Sequence, residues 1–339
     1  MSKKLFHIVL VLLLGFLLQT CIQEPEIKPN TNRGNFDALW KIIDTRYCYL
    51  DYKEIDWDAV YKKYSPHVDT ISNKYTLFDL FAEMLAELKD GHVNLYSEFD
   101  KSRYWNWFTD YPANFDSKLI FKNRYLGENY RIAGAFRYKK IAEGEVGYIY
   151  YGSFSDSFND KNIFEIFSHF ADCKGIIIDI RENGGGLLTN SEQLASCFFT
   201  EKTLTGYITH KTGNGHSDFS KPNAVYTLSH EKLKWERSVA VLTNRMTYSA
   251  ANDLVCRMKY APKATIIGDK TGGGGGMPLS SELPNGWMVR FSASPMYDAE
   301  MQNTEWGIEP DVKVSMSEID KLLGYDTIIE TAVKILTKD

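Results

Sequence analysis

The 339-residue sequence has few of the features that would assign it directly to a nucleic-acid-binding, metal-binding or membrane-spanning class. It carries a formal net charge of −5 and no run of basic residues, so a nucleic-acid partner is not expected. Its five cysteines include no CxxC pair, which argues against a structural zinc site. Four of them lie in mostly apolar surroundings and are interpreted as small buried side chains: Cys48, Cys173, Cys197 and Cys256.

An apolar run near the N-terminus is too short to span a bilayer but is typical of a signal peptide. It ends at Leu18-Gln-Thr-Cys21, which resembles the lipobox of bacterial lipoproteins, where the cysteine becomes the lipidated first residue. We therefore predict a lipoprotein signal peptide over residues 1–20, a lipid on Cys21 and a polar tether over residues 21–33. Ordinary secretion with cleavage nearby is the alternative. The prediction locates the protein in the cell envelope, anchored by lipid to a bacterial membrane.

The rest of the chain divides by pattern into a helical part and an α/β part. Apolar residues at helical spacing, such as Leu77, Phe81 and Leu85, predict three helices in an N-terminal helical domain over residues 34–92. Over residues 93–339, apolar strand patterns alternate with helical patterns, which predicts an α/β core. A Pro-Asn-Gly286 turn between two strand patterns predicts a β-hairpin.

A glycine-rich turn follows a buried strand in the run Gly175-Ile-Ile-Ile-Asp-Ile-Arg-Glu-Asn-Gly-Gly-Gly186. Backbone N–H groups of such a turn can approach a ligand closely and stabilise an anion or a developing oxyanion. Thr189 stands where a dinucleotide-binding loop has its third glycine, and no Gly-Lys-Ser/Thr follows as in a Walker loop. A plain tight turn that requires positive φ is the alternative.

Two side chains suggest nucleophilic chemistry. Ser249 lies between a buried strand pattern and an apolar-faced helix, where its hydroxyl can be exposed near a helix N-terminus. His92 lies in a polar turn after a helix, and a neutral imidazole there can accept a serine proton. Each has a plainer interpretation, since Ser249 can be a helix N-cap and His92 a structural turn residue.

In this order, these features resemble the family of C-terminal processing peptidases, the tricorn protease core and interphotoreceptor retinoid-binding protein. Four motifs carry the resemblance: Asp179 to Gly186, Ser249-Ala-Ala-Asn252, Gly268-Asp-Lys-Thr-Gly-Gly273 and Gly307-Ile-Glu-Pro-Asp311. The resemblance implies an α/β fold with a ClpP/crotonase-like spiral core, preceded by a small helical domain. It also implies serine peptidase chemistry that requires no metal or cofactor.

The sequence departs from the processing peptidases in two ways. Only about 50 residues separate His92 from the strand that starts near Gly147, which leaves no room for their PDZ domain. Gly274 stands where their catalytic lysine would lie, so the tricorn-like version with serine, histidine and a distal acid fits better. Glu305 is then the preferred acid, with Glu300 and Glu309 as weaker candidates.

The resulting hypothesis is a serine endopeptidase that hydrolyses peptide bonds in peptides or unfolded proteins of the cell envelope or in imported ones. Ser249 is the nucleophile, His92 the base, Glu305 the orienting acid, and the N–H groups of Gly185 and Ala250 form the oxyanion hole. A displaced lysine acting as the base, either Lys259 or Lys270, is an alternative mechanism. A catalytically silent lipoprotein that binds peptide, glycan or apolar ligand is the alternative function, since Asn252 replaces a usual Glu and the Trp105/Trp107 patch offers a binding platform.

Overall fold

The computed structural model describes residues 29–338. The predicted signal peptide, Cys21 and most of the predicted tether lie outside the described residues. Within residues 29–338, no helix has both the length and the apolar character needed to cross a membrane.

Three helices open the described chain, as the sequence predicts: α1 (Asn32–Arg46), α2 (Trp57–Val68) and α3 (Lys74–Ala86). Each begins after a polar N-cap, and the side chains of Thr31, Asp56 and Asn73 accept hydrogen bonds from free backbone N–H groups of the first turn. A short strand, β1 (Asn94–Tyr96), and a one-turn helix, α4 (Asn106–Thr109), follow.

A seven-stranded sheet forms the α/β core. Its strand order is β12-β9-β8-β5-β4-β3-β2, in which β12 to β4 are parallel and β3 and β2 are antiparallel additions. The strands are β2 (Arg131–Ala133), β3 (Phe136–Ile141), β4 (Val146–Tyr151), β5 (Gly175–Asp179), β8 (Ser238–Thr243), β9 (Ala264–Gly268) and β12 (Val312–Lys313).

Both faces of this sheet are covered, because alternate residues of the central strands point to opposite sides. One face, which includes Ile176 and Ile178, packs against α5 (Asp160–His169), α6 (Leu188–Ser196) and α7 (Ala250–Met258). The other face, which includes Ile177, packs against the C-terminal helix. Short α8 (Glu318–Leu322) precedes that helix, α9 (Thr327–Thr337). This layered arrangement confirms the predicted α/β core.

A second, five-stranded antiparallel sheet lies beside the first. It contains β1, β6 (Thr203–Ile208), β7 (Asn223–Thr227), β10 (Gly276–Glu282) and β11 (Met288–Asp298), and β11 pairs with β1, β6 and β10. The β10–β11 hairpin turns at Pro284-Asn-Gly286, as predicted. The long strand β11 therefore joins the N-terminal segment to the α/β core.

The three N-terminal helices and the β10–β11 hairpin share one hydrophobic core. Phe36 and Phe81 from the helices are buried in the same cluster as Trp287, Val289 and Phe291 from the hairpin and β11. The division into a helical domain over 34–92 and a core over 93–339 stays a prediction, and the packing joins the two segments. The four cysteines of the described region are free and buried, which confirms their predicted packing role.

Candidate active site

A buried arginine stabilises the start of the glycine-rich turn that follows β5. Arg181, which is fully buried, forms ion pairs with Asp179 at 2.6 Å and with Asp326 at 2.9 Å. Asn183 then ties the turn to its neighbours: its side chain donates to the Tyr151 carbonyl at 2.8 Å, and its own carbonyl accepts from the N–H of Tyr248 at 3.0 Å. The turn and the serine segment are thus held together.

Ser249 occupies a strained turn between β8 and α7. Its φ of 57° and ψ of −119° are uncommon for a residue with a side chain, and such strain concentrates at functional sites. The hydroxyl makes no capping bond to α7; instead Oγ lies 2.9 Å from Nε2 of His92. Ser249 thus occupies the N-cap position, as the alternative interpretation has it, but its side chain does not cap the helix. Gly185 allows this approach, because a Cβ at that position would lie 2.7 Å from the Cβ of Ser249.

His92 is held in its neutral form. Only 3% of the residue is exposed, and burial lowers the pKa of its imidazole to about 4. Asp90 acts in the opposite direction, while Arg290 and Lys53 lower this pKa further. The Ser249 hydroxyl can donate to Nε2 when the ring proton is on Nδ1. Nδ1 makes no hydrogen bond of ordinary geometry within residues 29–338, although the nearby backbone of Gly276 acts to raise the pKa of His92.

Asp90 is the carboxylate that fixes the His92 segment. It is 1% exposed and accepts hydrogen bonds from the His92 N–H at 2.7 Å, the Ser292 hydroxyl at 2.9 Å and the Tyr47 hydroxyl at 3.0 Å. Burial alone would raise the pKa of Asp90, but the Lys53 ammonium, His92 and these donors keep it below its ordinary value. Asp90 is therefore ionised beside the histidine.

Glu305 reaches this group through Lys53. Its Oε1 lies 2.6 Å from Lys53 Nζ, and Nζ lies 3.7 Å from Oδ2 of Asp90. Burial and the nearby Asp90 charge raise the pKa of Glu305 to about 8, against the effect of Lys53, because one ammonium faces two carboxylates and Asp90 has more donors. Among described residues, Glu305 makes no hydrogen bond to His92 or Ser249. The structure thus connects Glu305 to His92 only through Lys53 and Asp90.

The weaker acid candidates lie elsewhere. Glu300 accepts from the Tyr260 hydroxyl at 2.5 Å, and Glu309 pairs with Lys270 at 3.2 Å on the surface. Lys259 is likewise engaged, at 2.5 Å from Asp311. In the described part of the chain, no lysine amine makes a hydrogen bond to Ser249.

Gly274 has no space for the side chain that a Ser–Lys dyad would need there. A Cβ on Gly274 would lie 2.5 Å from the ring of Tyr248, and its φ of 75° disfavours side chains. The Tyr248 ring lies 4.9 Å from the His92 ring and stacks on Trp107 at 4.2 Å. An aromatic ring therefore fills the position where a lysine would approach the serine.

The predicted oxyanion donors differ in availability. Ala250 is the first residue of α7, and its N–H has no hydrogen-bond partner in the described structure. The N–H of Gly185 already donates to Oδ1 of Asn183 at 3.0 Å. The adjacent Gly184 and Gly186 line the cleft in front of Ser249. The N–H of Gly185 is therefore already engaged within the turn, and its role as an oxyanion donor stays a prediction.

Asn252 serves the packing around the site. It accepts from the Thr271 hydroxyl at 2.6 Å and donates to the Thr304 carbonyl at 3.2 Å, so it connects the turn after β9 to the segment that carries Glu305. Of the two aromatic residues in the predicted platform, Trp107 packs on Tyr248 and Trp105 is 54% exposed; both line the cleft.

Sequence reasoning missed Asp90, Lys53, Tyr248 and Ser292. Of these, Asp90 was the easiest to predict from the sequence, because it lies two residues before His92 and an Asp in a turn often bonds to a following N–H. Lys53 and Ser292 had no local signal, since their roles depend on contacts with residues 252 and 202 positions away.

A serine in a strained strand-to-helix turn, bonded to a neutral buried histidine and next to a free backbone N–H, is the arrangement of nucleophilic serine hydrolases. Comparison with known proteins gives the family. Residues 145–314 match peptidase family S41, and residues 29–86 match the tricorn protease C1 domain. The chain belongs to peptidase family S41, which confirms the predicted resemblance.

The relatives support both family and fold. A crystal structure of a provisionally assigned peptidase from Parabacteroides merdae is 51% identical, with a TM-score of 0.87, and the alignment covers 91% of this chain and 98% of that one. The carboxy-terminal processing protease CtpA of Bacillus subtilis (strain 168) is 25% identical over 195 residues, which are 56% of this chain and 39% of CtpA. Mature CPAF, at 12% identity, shares the fold with a TM-score of 0.66 over 90% of this chain and 96% of CPAF. The chain thus spans about two fifths of the length of the curated relatives it matches.

Proposed function

We propose that this protein is a serine peptidase in which Ser249 is the nucleophile and His92 the general base. The 2.9 Å contact between Oγ of Ser249 and Nε2 of His92 carries the proposal, because it joins a nucleophile to a base within hydrogen-bonding reach. The depressed pKa of His92 keeps the imidazole unprotonated and ready to accept at neutral pH. Membership of peptidase family S41 supplies the reaction class.

In the proposed reaction, Oγ attacks the carbonyl carbon of a peptide bond while its proton moves to Nε2. The tetrahedral oxyanion receives hydrogen bonds from the N–H of Ala250 and from a glycine-turn N–H beside Gly185. The imidazolium then protonates the leaving amine, and a water activated by the same ring hydrolyses the acyl-enzyme. Asp90 fixes the His92 segment, and Glu305 acts through Lys53 as a positioning residue.

The proposed substrates are peptides or unfolded proteins of the cell envelope. The family supports peptide or protein substrates in general. The envelope location rests on the lipobox-like sequence that ends at Cys21, which carries the proposed lipid anchor.

Active-site labelling tests the proposal directly. A fluorophosphonate probe should label the wild-type protein at Ser249 and fail to label Ser249→Ala, while Ser168→Ala, which removes an exposed serine hydroxyl on α5, should label normally. Turnover of an unfolded protein substrate should fall by roughly 10⁴-fold in Ser249→Ala. Complete inertness of folded wild-type protein toward probe and substrates would instead support the silent binding lipoprotein.

A further inference from the structure

The cleft in front of Ser249 and His92 is positively charged although the chain as a whole is negative. It has a volume of about 410 Å³, and three cationic side chains line it: Lys101, Arg103 and Arg290. None of the described residues that line it is acidic. With 44 acidic and 39 basic residues in the sequence, this local excess of cations is not a consequence of overall composition.

Arg290 is the central member of this group. It lies on β11 opposite Asn94 of β1 and is partly buried. In the described structure its guanidinium makes no ion pair and no side-chain hydrogen bond. Its charge is nevertheless close enough to contribute to the lowered pKa of His92 and to oppose the raised pKa of Tyr248. An arginine without a carboxylate partner beside the reacting groups is prepared for a carboxylate that arrives with the substrate.

The other two cations extend the charge along the cleft. The Lys101 ammonium lies 4.9 Å from the Tyr96 ring centre. The Arg103 guanidinium lies 5.7 Å from the Trp105 ring centre. Its nearest Asp100 oxygen is 4.0 Å away, which is the outer limit for an ion pair. Both follow β1, on a different segment from Arg290. A single carboxylate would therefore leave part of the charge unmatched, whereas several acidic residues along an extended peptide would match it.

We infer that this cleft selects acidic peptide segments, with Arg290 binding the carboxylate of an Asp or Glu side chain close to the scissile bond and with Lys101 and Arg103 binding further acidic residues. This specificity rests on the proposed peptidase function. A charge-assisted, bidentate contact by a partly desolvated arginine is strong enough to change selectivity by about tenfold per acidic residue.

Matched quenched peptides test the inference. Starting from a peptide that the protein cuts, Gln→Glu replacements are introduced one at a time over three positions on each side of the cut. In wild type, Glu should raise kcat/KM by about tenfold or more at one of these positions at least, and this gain should shrink in high salt. Arg290→Gln should reduce this gain, measured as the ratio of kcat/KM for matched Glu and Gln peptides within the same variant, to less than about threefold.

Further variants make the result specific to the cleft. Arg290→Lys should keep part of the preference, and Arg290→Glu should favour peptides with Lys at the same position. Lys101→Gln and Arg103→Gln, in a loop that should tolerate substitution, test the outer positions even if Arg290 variants fail to fold. Lys63→Gln removes an equal charge from an exposed pair with Glu87 and should leave the Glu-to-Gln ratio unchanged.

Three outcomes would overturn the inference. Wild type could show no Glu preference at any position, or its preference could survive in all three cleft variants. The third outcome is that amidation of the substrate C-terminus reduces the rate more than tenfold in wild type but not in Arg290→Gln. That result would assign the arginine to a chain terminus instead of an acidic side chain.

A binding measurement separates failure of the inference from failure of the proposed function. Fluorescence anisotropy of the same labelled peptides with Ser249→Ala protein requires no turnover. Tighter binding of Glu peptides than of Gln peptides, lost in the double variant with Arg290→Gln, supports acidic recognition even in an inert protein. Equal binding of both sets contradicts it, whatever the labelling experiment gives.

Discussion

At the scale of single residues, four buried ionisable side chains influence one another's protonation. Asp90 is ionised, His92 is neutral, and Lys53 stands between Asp90 and Glu305. Glu305 accepts fewer hydrogen bonds than Asp90 does, since its Oε2 is buried without a partner in the described structure. In the proposed mechanism, the protonation of these four side chains sets the reactivity of Ser249, and it should also contribute to the pH dependence of stability.

The first prediction concerns the acid limb of the activity profile. The base must be neutral, so kcat/KM should fall only as pH drops through about 4, the lowered pKa of His92. Activity at pH 5.5 should then be within about twofold of that at pH 7.5, whereas an unperturbed imidazole near 6.5 would give a loss of about tenfold. Steady-state rates across this range, with circular dichroism at each pH as the folding control, measure it.

His92→Ala supports the same assignment from another side. It should reduce turnover by at least about 10²-fold without loss of the fold. Lys259→Ala and Lys270→Ala, whose amines form ion pairs away from Ser249, should each remain active. An active His92→Ala protein with an inactive lysine variant would transfer the role of base to that lysine.

The second prediction concerns Glu305 and stability. The pKa of Glu305 is raised from 4.5 to about 8 in the folded protein, so its stabilising proton is fully present below pH 4.5 and is lost as pH rises through 8. The amide that replaces this carboxyl group in Glu305→Gln does not ionise in this pH range. Between pH 5 and 9 the wild type should therefore lose stability relative to Glu305→Gln, by an amount on the order of a few kcal/mol.

Thermal unfolding at several pH values measures this difference. Glu309→Gln, which changes an exposed carboxylate paired with Lys270, is the matched control and should follow the wild-type curve. Parallel curves for wild type and Glu305→Gln would mean that Glu305 is ionised throughout, as in an ordinary salt bridge with Lys53.

Much of the site could be predicted at this scale because its chemistry is local in sequence. Ser249 stands at a strand-to-helix turn, which indicates an available hydroxyl, and His92 stands in a polar turn, where a neutral imidazole can accept a proton. The supporting charges could not be predicted, because Lys53 reaches Glu305 across 252 positions and no periodicity reports such a contact. The bond between the Gly185 N–H and the Asn183 side chain also has no sequence signal beyond their proximity, and the role of Gly185 as an oxyanion donor remains a prediction.

At the scale of elements, the site forms where two turns lie next to each other, one after β5 and one after β8. Asn183 bonds to the Tyr151 carbonyl at the end of the neighbouring strand and to the N–H of Tyr248, so the two turns are hydrogen-bonded to each other. Parallel strands end at the same edge of a sheet, which is why these turns meet. The alternation of strands and helices predicted the α/β core, and the family resemblance implied that the two turns share a site. The hairpin at Pro284-Asn-Gly286 was predicted from its turn residues.

The third prediction compares neighbouring glycines in the first turn. Gly185→Ala should destabilise the protein and displace Ser249, because φ is 95° and a Cβ would overlap Ser249 and the Tyr248 carbonyl. Gly184→Ala should be far better tolerated, since no atom lies within 4 Å of its Cβ position. Melting temperatures of the two variants measure the contrast. Equal melting temperatures would show that the turn can open without cost.

At the scale of the whole molecule, the N-terminal helices and the C-terminal half of the chain stabilise each other. Their common core includes Phe81 from α3 and Trp287 beside β11, and this sharing could not be predicted from segment patterns because it depends on the pairing of β1 with β11. Apolar periodicity identified which residues are buried but not which partner buries them.

The fourth prediction follows from this shared core. Phe81→Ala should lower the free energy of unfolding by about 3–5 kcal/mol, since Phe81 is fully buried. Residues 34–92 and the remainder should still unfold in one transition, seen at the same denaturant concentration by circular dichroism and by tryptophan fluorescence. Phe164→Ala, at a position that is 56% exposed, is the control and should change stability little. Two separate transitions would support the helical segment as an independent domain.

The contact between His92 and Ser249 joins residues 157 positions apart, and β11, which holds β1 in place, is made later still. During synthesis the base therefore emerges long before the nucleophile, and neither can work until the hairpin that ends at residue 298 has closed on the first helices. A nascent or partly translocated chain of this kind would be harmless to its neighbours and to itself. Synthesis of this hairpin is then the step that completes the proposed site.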